Sequence, residues 1–177
     1  LNYHEALGPA ALIARIRVEG LRDLGAAASP FNSFQILQGI ETLPIRMRQH
    51  SENALKISKW LENNDNVSWV NYPGLSSSKY NNLAKKYLIK GQSGIVTFGL
   101  QGGFNAGKKV ADDTKIFSLL ANIGDSKSLI IHPASTTHSQ LSPEEQKHTG
   151  VTDDLIRLSI CLENVEDLIK DLDQAIK

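Results

Sequence analysis

Cysteine is nearly absent from this sequence. Cys161 stands alone among 177 residues, which excludes an internal disulfide framework and suits a reducing compartment such as the cytoplasm. A surplus of either charge is missing too: nineteen Lys and Arg balance nineteen Asp and Glu. Nucleic acid and anionic membrane surfaces are held through excess positive charge, so neither is expected as a partner. No apolar run approaches the ~20 residues that span a bilayer. The opening stretch, LNYHEALGPAALIARIRVEG, lacks the basic-then-apolar layout of a secretory signal. It also lacks an initiator Met and already reads as mid-helix, so the chain is expected to be a piece of something longer. A metal centre is not expected, because His4, His50, His132, His138 and His148 show no ligand spacing and one Cys cannot build a zinc cluster. Gly102-Gly103 and Gly91/Gly94 stand outside any phosphate-loop frame, and no pair of carboxylates is spaced for acid–base work.

What is present is enough apolar material for one ordinary core, at 41% hydrophobic residues. Residues 8–25 read as a helix ending near Gly25. A small-residue loop follows, and Ser33 is placed to cap the next helix. Pro44 is expected to interrupt it and begin another, whose stripe of Met47, His50, Ala54, Ile57 and Leu61 runs to about Asn63. His50 on that stripe reads as a satisfied interface histidine. Beyond it the pattern changes to four runs of β-formers, Val67–Tyr72, Gly94–Leu100, Ser128–Ile131 and Leu155–Leu162, bounded by turn residues. Helices are expected at about 78–89 and 105–113, after the Ser142 cap, and from Asn164 onward. The fold class is therefore α+β. A helical segment, residues 1–62, leads into a small domain, residues 63–177, with a four-stranded, mainly antiparallel sheet covered by helices.

The run LIRLSICL is the most informative local feature. Alternation along a strand puts Ile156, Leu158, Ile160 and Leu162 on one face and Arg157, Ser159 and Cys161 on the other. A guanidinium among small neighbours can grip a carboxylate bidentately, as an amino-acid substrate requires. A structural salt bridge or a solvated arginine is the alternative that spacing leaves open. In SLIIHPASTTHSQL a strand ends at Pro133 in a hydroxyl-rich loop, which is either a ligand-binding loop or an ordinary turn. Cys161 reads as a small buried side chain.

Three stretches together carry a resemblance: LGAAASPFNSFQILQGIETLPIRMRQHSENALKISKWL, NIGDSKSLIIHPASTTHSQL and GVTDDLIRLSICLENVEDLIKDLDQAI. In order and spacing they resemble the Cys/Met-metabolism family of PLP-dependent enzymes, across essentially the whole chain. The resemblance implies the C-terminal portion of a fold-type I PLP enzyme. Residues 1–62 would be the end of the large PLP domain with its connecting helix, and residues 63–177 the small C-terminal domain. It implies a homotetrameric cytoplasmic enzyme whose PLP acts as electron sink. Arg157, in Leu-Ile-Arg-Leu-Ser, resembles the arginine that binds the substrate α-carboxylate. Asn122 occupies the place where cystathionine enzymes carry a Ser that helps hold the same group, and Thr137 matches a threonine lining the substrate pocket.

The Asn-Ile-Gly-Asp and His-Pro-Ala-Ser-Thr-Thr-His segments are similar to those of the O-acetylhomoserine sulfhydrylase branch. That branch implies O-acetyl-L-homoserine and sulfide as substrates, a γ-replacement giving homocysteine, and a place in methionine biosynthesis. Cystathionine γ-synthase and methionine γ-lyase remain alternatives, as do a free-standing small-molecule-binding domain and a structural oligomerisation module. No lysine here has the setting of the family's Schiff-base lysine. The chain alone is therefore expected to contain no catalytic residue, to be inactive and to hold no PLP covalently, although the full-length enzyme would use PLP.

Overall fold

A computed structural model describes residues 2–177. Two compact units divide the chain, one ending at Thr42 and one running from Leu43 to Lys177. In the first unit the single helix expected over residues 8–25 is instead segmented. Helix α1 (Tyr3–Leu7), a 3₁₀ turn (Gly8–Ala10), α2 (Ala11–Arg15) and a π-helical stretch (Ile16–Asp23) follow one another. Pro9 explains the first break, since it lacks an N–H and sits in the opening turn of a new helix, after Gly8 at φ +50°.

Helix α3 spans Pro30–Glu62 without interruption, so the expected break at Pro44 does not occur. Ser29, not Ser33, caps it: the Ser29 hydroxyl accepts the Asn32 N–H at 3.1 Å, while the Ser33 hydroxyl donates to the Ser29 carbonyl. An internal proline costs a helix about 3 kcal/mol. The turns that follow Pro44 bury Ala54, Ile57 and Leu61, and each large aliphatic side chain contributes roughly 1.5–3 kcal/mol on burial. Packing outweighs the missing backbone bond.

The second unit is built on one sheet of five strands, β1 (Val67–Asn71), β2 (Ile95–Leu100), β3 (Ser118–Leu119), β4 (Leu129–Ile131) and β5 (Leu155–Ser159). Their spatial order is β1-β2-β5-β4-β3. The sequence predicts a four-stranded, mainly antiparallel sheet; the sheet has a fifth strand and is mixed, because β3 pairs with β4 in parallel while the other pairings are antiparallel. Two residues are too few to show a period of two in sequence, and β3 is held from outside. Its approach is fixed by the buried Asp171 carboxylate, which accepts the Lys115, Ile116 and Phe117 N–H groups at 2.8, 2.7 and 3.2 Å. Asp171 lies on α7 (Val165–Ile176), whose cap is Asn164 as the sequence predicts.

Helices α4 (Asn81–Tyr87), α5 (Gly103–Asp113) and α6 (Pro143–His148) complete this unit. Val96, Phe98, Ile156 and Leu158 form one core with Ala54, Ile57 and Leu61 of α3, Val110 and Ala111 of α5, and Leu168 and Leu172 of α7. Cross-strand register places Asn71, Thr97, Arg157 and Ile131 in a row on the opposite face.

At the sheet edge the Trp69 indole crosses Gly99, where a Cβ would fall 2.0 Å from its Nε1. That nitrogen donates to the Asp154 carboxylate at 2.8 Å. Burial pushes the Asp154 carboxyl up, but hydrogen bonds from Thr152, Trp69, its own backbone and Ser68 together hold it below the ordinary carboxylate range. Its folded-state pKa lies below the unfolded one, so its stabilisation is present above the ordinary carboxylate range and is lost as pH falls through the folded value. Asp154→Asn should therefore lower stability at pH 7 by about 1–2 kcal/mol and flatten the acid limb. Urea unfolding at neutral and acid pH reads both; a variant that keeps the parent's pH slope would exclude this role.

Candidate functional site

Arg157 stands at the middle of β5, paired across the ladder with Thr97 of β2 and Ile131 of β4. Its side chain is half-buried on the face away from the α3–α5–α7 core, where alternation placed it. Its Nη2 donates to the backbone carbonyl of Asn122 at 3.3 Å. Arg157 and Asn122 are thus brought together, 35 residues apart in sequence. The contact uses the Asn122 backbone, so the residue orients the guanidinium whatever its own amide does. Arg157 makes no ion pair with a carboxylate among the described residues. The guanidinium keeps donors for an incoming anion.

Beside Arg157 the sheet face carries Thr97, half-buried, whose hydroxyl accepts from the Asn71 amide at 3.4 Å. Towards β4 the same face closes, with Ser159, Leu129 and Ile131 all buried. Arg157 therefore sits on the border between a covered and an accessible part of the sheet.

Thr137 is exposed, and its hydroxyl lies 2.9 Å from His138 Nδ1. Among the described residues it makes no hydrogen bond to Arg157 or Asn122. Its placement comes from the loop that carries it, which leaves β4 directly beside Arg157. That loop is anchored by two residues that sequence reasoning did not single out. His132 is fully buried; its Nε2 donates to the Asp153 carbonyl and its Nδ1 faces the Ser135 hydroxyl, both at 2.8 Å. A carbonyl only accepts, so the proton sits on Nε2 and Ser135 donates to Nδ1. Gln146 on α6 donates to the Ala134 and His138 carbonyls at 3.2 and 2.8 Å. Neither role has a local sequence signal, because the Asp153, Ala134 and His138 carbonyls that hold these side chains lie 8 to 21 residues away.

Burial pushes the Cys161 thiol up to about 11, so at neutral pH it is no nucleophile. His50, expected to be a satisfied interface histidine, is buried and bonded through Nδ1 to the Ile160 carbonyl at 2.8 Å, while its Nε2 has no partner among the described residues. No cluster of His, Cys, Asp and Glu among the described residues could hold a metal ion. No helix of the described residues is long and apolar enough to cross a membrane. Every described lysine is exposed.

A family model described as Cys/Met metabolism PLP-dependent enzyme matches residues 9–177. The O-acetyl-L-homoserine sulfhydrylase of Leptospira meyeri is 56% identical over 94% of this chain and 38% of its own length. The homocysteine/cysteine synthase of Saccharomyces cerevisiae is 47% identical over 99% of this chain and 42% of its own. A crystal structure from Campylobacter jejuni, described as an O-acetylhomoserine (thiol)-lyase with N′-pyridoxyl-lysine-5′-monophosphate, superposes with a TM-score of 0.85 at 50% identity. It is matched over 95% of this chain and 40% of that one. The chain thus spans about two fifths of the length of the curated relatives it matches.

Proposed function

The chain belongs to the Cys/Met metabolism PLP-dependent enzyme family, and on that footing we propose that it is the substrate-carboxylate recognition part of a longer O-acetylhomoserine sulfhydrylase. The full-length enzyme replaces the acetate of O-acetyl-L-homoserine by sulfide and releases homocysteine. Arg157 binds the α-carboxylate of the amino acid, Asn122 orients the guanidinium through its carbonyl, and Thr137 lines the pocket from the β4 loop. The cofactor and its lysine come from residues outside this chain.

One observation carries the reading: a half-buried arginine on an accessible sheet face, braced by a backbone carbonyl and without an acidic partner among the described residues. A backbone carbonyl holds one edge of the guanidinium and leaves the others for a carboxylate. The exposed apolar side chains Phe34, Leu37, Ile40 and Ile123 fit a chain whose remaining surface is covered by the rest of a homotetrameric, cytoplasmic enzyme.

The test is made on the full-length protein, supplied with O-acetyl-L-homoserine and either sulfide or cysteine. Homocysteine from sulfide at a rate well above cystathionine from cysteine is the expected result. The reverse preference would assign the chain to a cystathionine γ-synthase instead.

A further inference from the structure

Two buried side chains of α3 reach the backbone just past the Arg157 strand. His50 and Asn53 are each 1% exposed. His50 Nδ1 lies 2.8 Å from the Ile160 carbonyl, which can only accept, so the ring carries its proton on Nδ1. The Asn53 amide donates to the Cys161 carbonyl at 2.8 Å and to the Glu163 carbonyl at 3.0 Å. From the other flank the Ser128 hydroxyl accepts the Cys161 N–H at 2.9 Å and donates to the Glu163 carboxylate at 2.8 Å. Gly94 makes room for the arrangement: a Cβ there would fall 2.6 Å from the Ile160 oxygen and 3.2 Å from His50 Nδ1.

The ring also has a cost. With Nδ1 used as donor, Nε2 is buried without a partner among the described residues, and an unpaired buried polar atom is destabilising. A leucine would fill the same space without it. A side chain needed only to pack the core would not be a histidine here. What the ring supplies is a rigid N–H aimed at one carbonyl, three residues beyond Arg157.

We propose that His50 and Asn53 are positioning residues for the carboxylate site, locking the end of β5 to helix α3 so that the Arg157 guanidinium stays aligned with the substrate α-carboxylate. This rests on Arg157 being the carboxylate ligand. The ladder fixes β5 against β2 and β4; the two side chains fix it against the helix layer, which the ladder does not do. A misplacement of ~1 Å at a binding group can cost on the order of a hundredfold.

The experiment uses the full-length protein with His50→Leu, His50→Gln and Asn53→Leu, each in the parent and in the Arg157→Ala background. KM for O-acetyl-L-homoserine and Ki for its α-carboxamide are measured beside the thermal midpoint. His50→Leu and Asn53→Leu should raise KM about 10- to 100-fold and leave Ki near its starting value. His50→Gln, which restores an N–H donor, should recover most of the loss. In the Arg157→Ala background none of the three should add to it. A lowered midpoint with unchanged KM would make the pair a core contact and overturn the proposal, as would equal losses on both compounds. Should His50→Leu fail to fold, Asn53→Leu and His50→Gln decide the matter alone. If Arg157→Ala itself leaves the preference for carboxylate over carboxamide intact, the reading of Arg157 falls first, and the two failures stay distinct.

Discussion

Arg157→Ala in the full-length protein should raise KM for O-acetyl-L-homoserine by about 100-fold or more. The size follows from the chemistry of the contact. A guanidinium fork makes two charge-assisted hydrogen bonds to a carboxylate, each worth roughly 1.5–3 kcal/mol, and about 1.4 kcal/mol is a factor of ten. The low end of that sum already exceeds a hundredfold. Truncation also frees the Asn122 carbonyl, which accepts from Nη2 at 3.3 Å, so the 120–124 loop loses its tie to β5 as well. Arg157→Lys should fall between the two, because an ammonium keeps the charge but cannot hold the Asn122 carbonyl and both carboxylate oxygens in one plane. Since the contact exists before and during reaction, KM should move more than kcat. Steady-state kinetics on purified full-length variants reads all of this, and parental KM in Arg157→Ala would rule out the assigned role.

How far the sequence reached is visible strand by strand. Alternation in LIRLSICL placed Arg157 on the face opposite Ile156 and Leu158, and those two are fully buried while Arg157 is not. Asn164 and Ser142 act as helix caps because a cap is a local interaction, complete within three residues. Pro44 misled for the opposite reason. Its local penalty was real, but the burial of Ile57 and Leu61 that offsets it depends on strands far along the chain. β3 was invisible because its stability comes from Asp171, more than fifty residues away. The Arg157–Asn122 pairing was legible only through resemblance, since no periodicity links a strand to a loop 35 residues earlier. The bonds made by His132, Gln146, Asn53 and His50 could not be read from the sequence for one shared reason, although His50 itself was expected at an interface. Each is a buried polar residue whose partner is a backbone carbonyl elsewhere, and a backbone carbonyl leaves no mark in the sequence.

Gly107→Ala should destabilise the protein by about 2–4 kcal/mol, although Ala is the better helix former by roughly 1 kcal/mol. The reason lies across the interface from α5. A Cβ at residue 107 would fall 2.6 Å from Cδ2 and 2.8 Å from Nε2 of His132. The ring has no slack: it is fully buried, meets the Phe104 ring edge-on at 5.0 Å, and is tied at both nitrogens. Overpacking a core costs typically 1–3 kcal/mol, and pushing Nε2 off the Asp153 carbonyl adds about 1–3 kcal/mol for the group left unpaired. Ser135 then loses the ring nitrogen and keeps only the longer contact to the His132 carbonyl at 3.4 Å, and the loop that carries Thr137 loosens at its first anchor, so activity of the full-length protein should fall along with stability. A double-mutant cycle isolates the cause. If the ring is what Gly107 accommodates, His132→Ala opens the space, and Gly107→Ala in that background should cost little or gain the helix-propensity increment. Strictly additive losses in urea unfolding would mean that the methyl group acts on something other than His132.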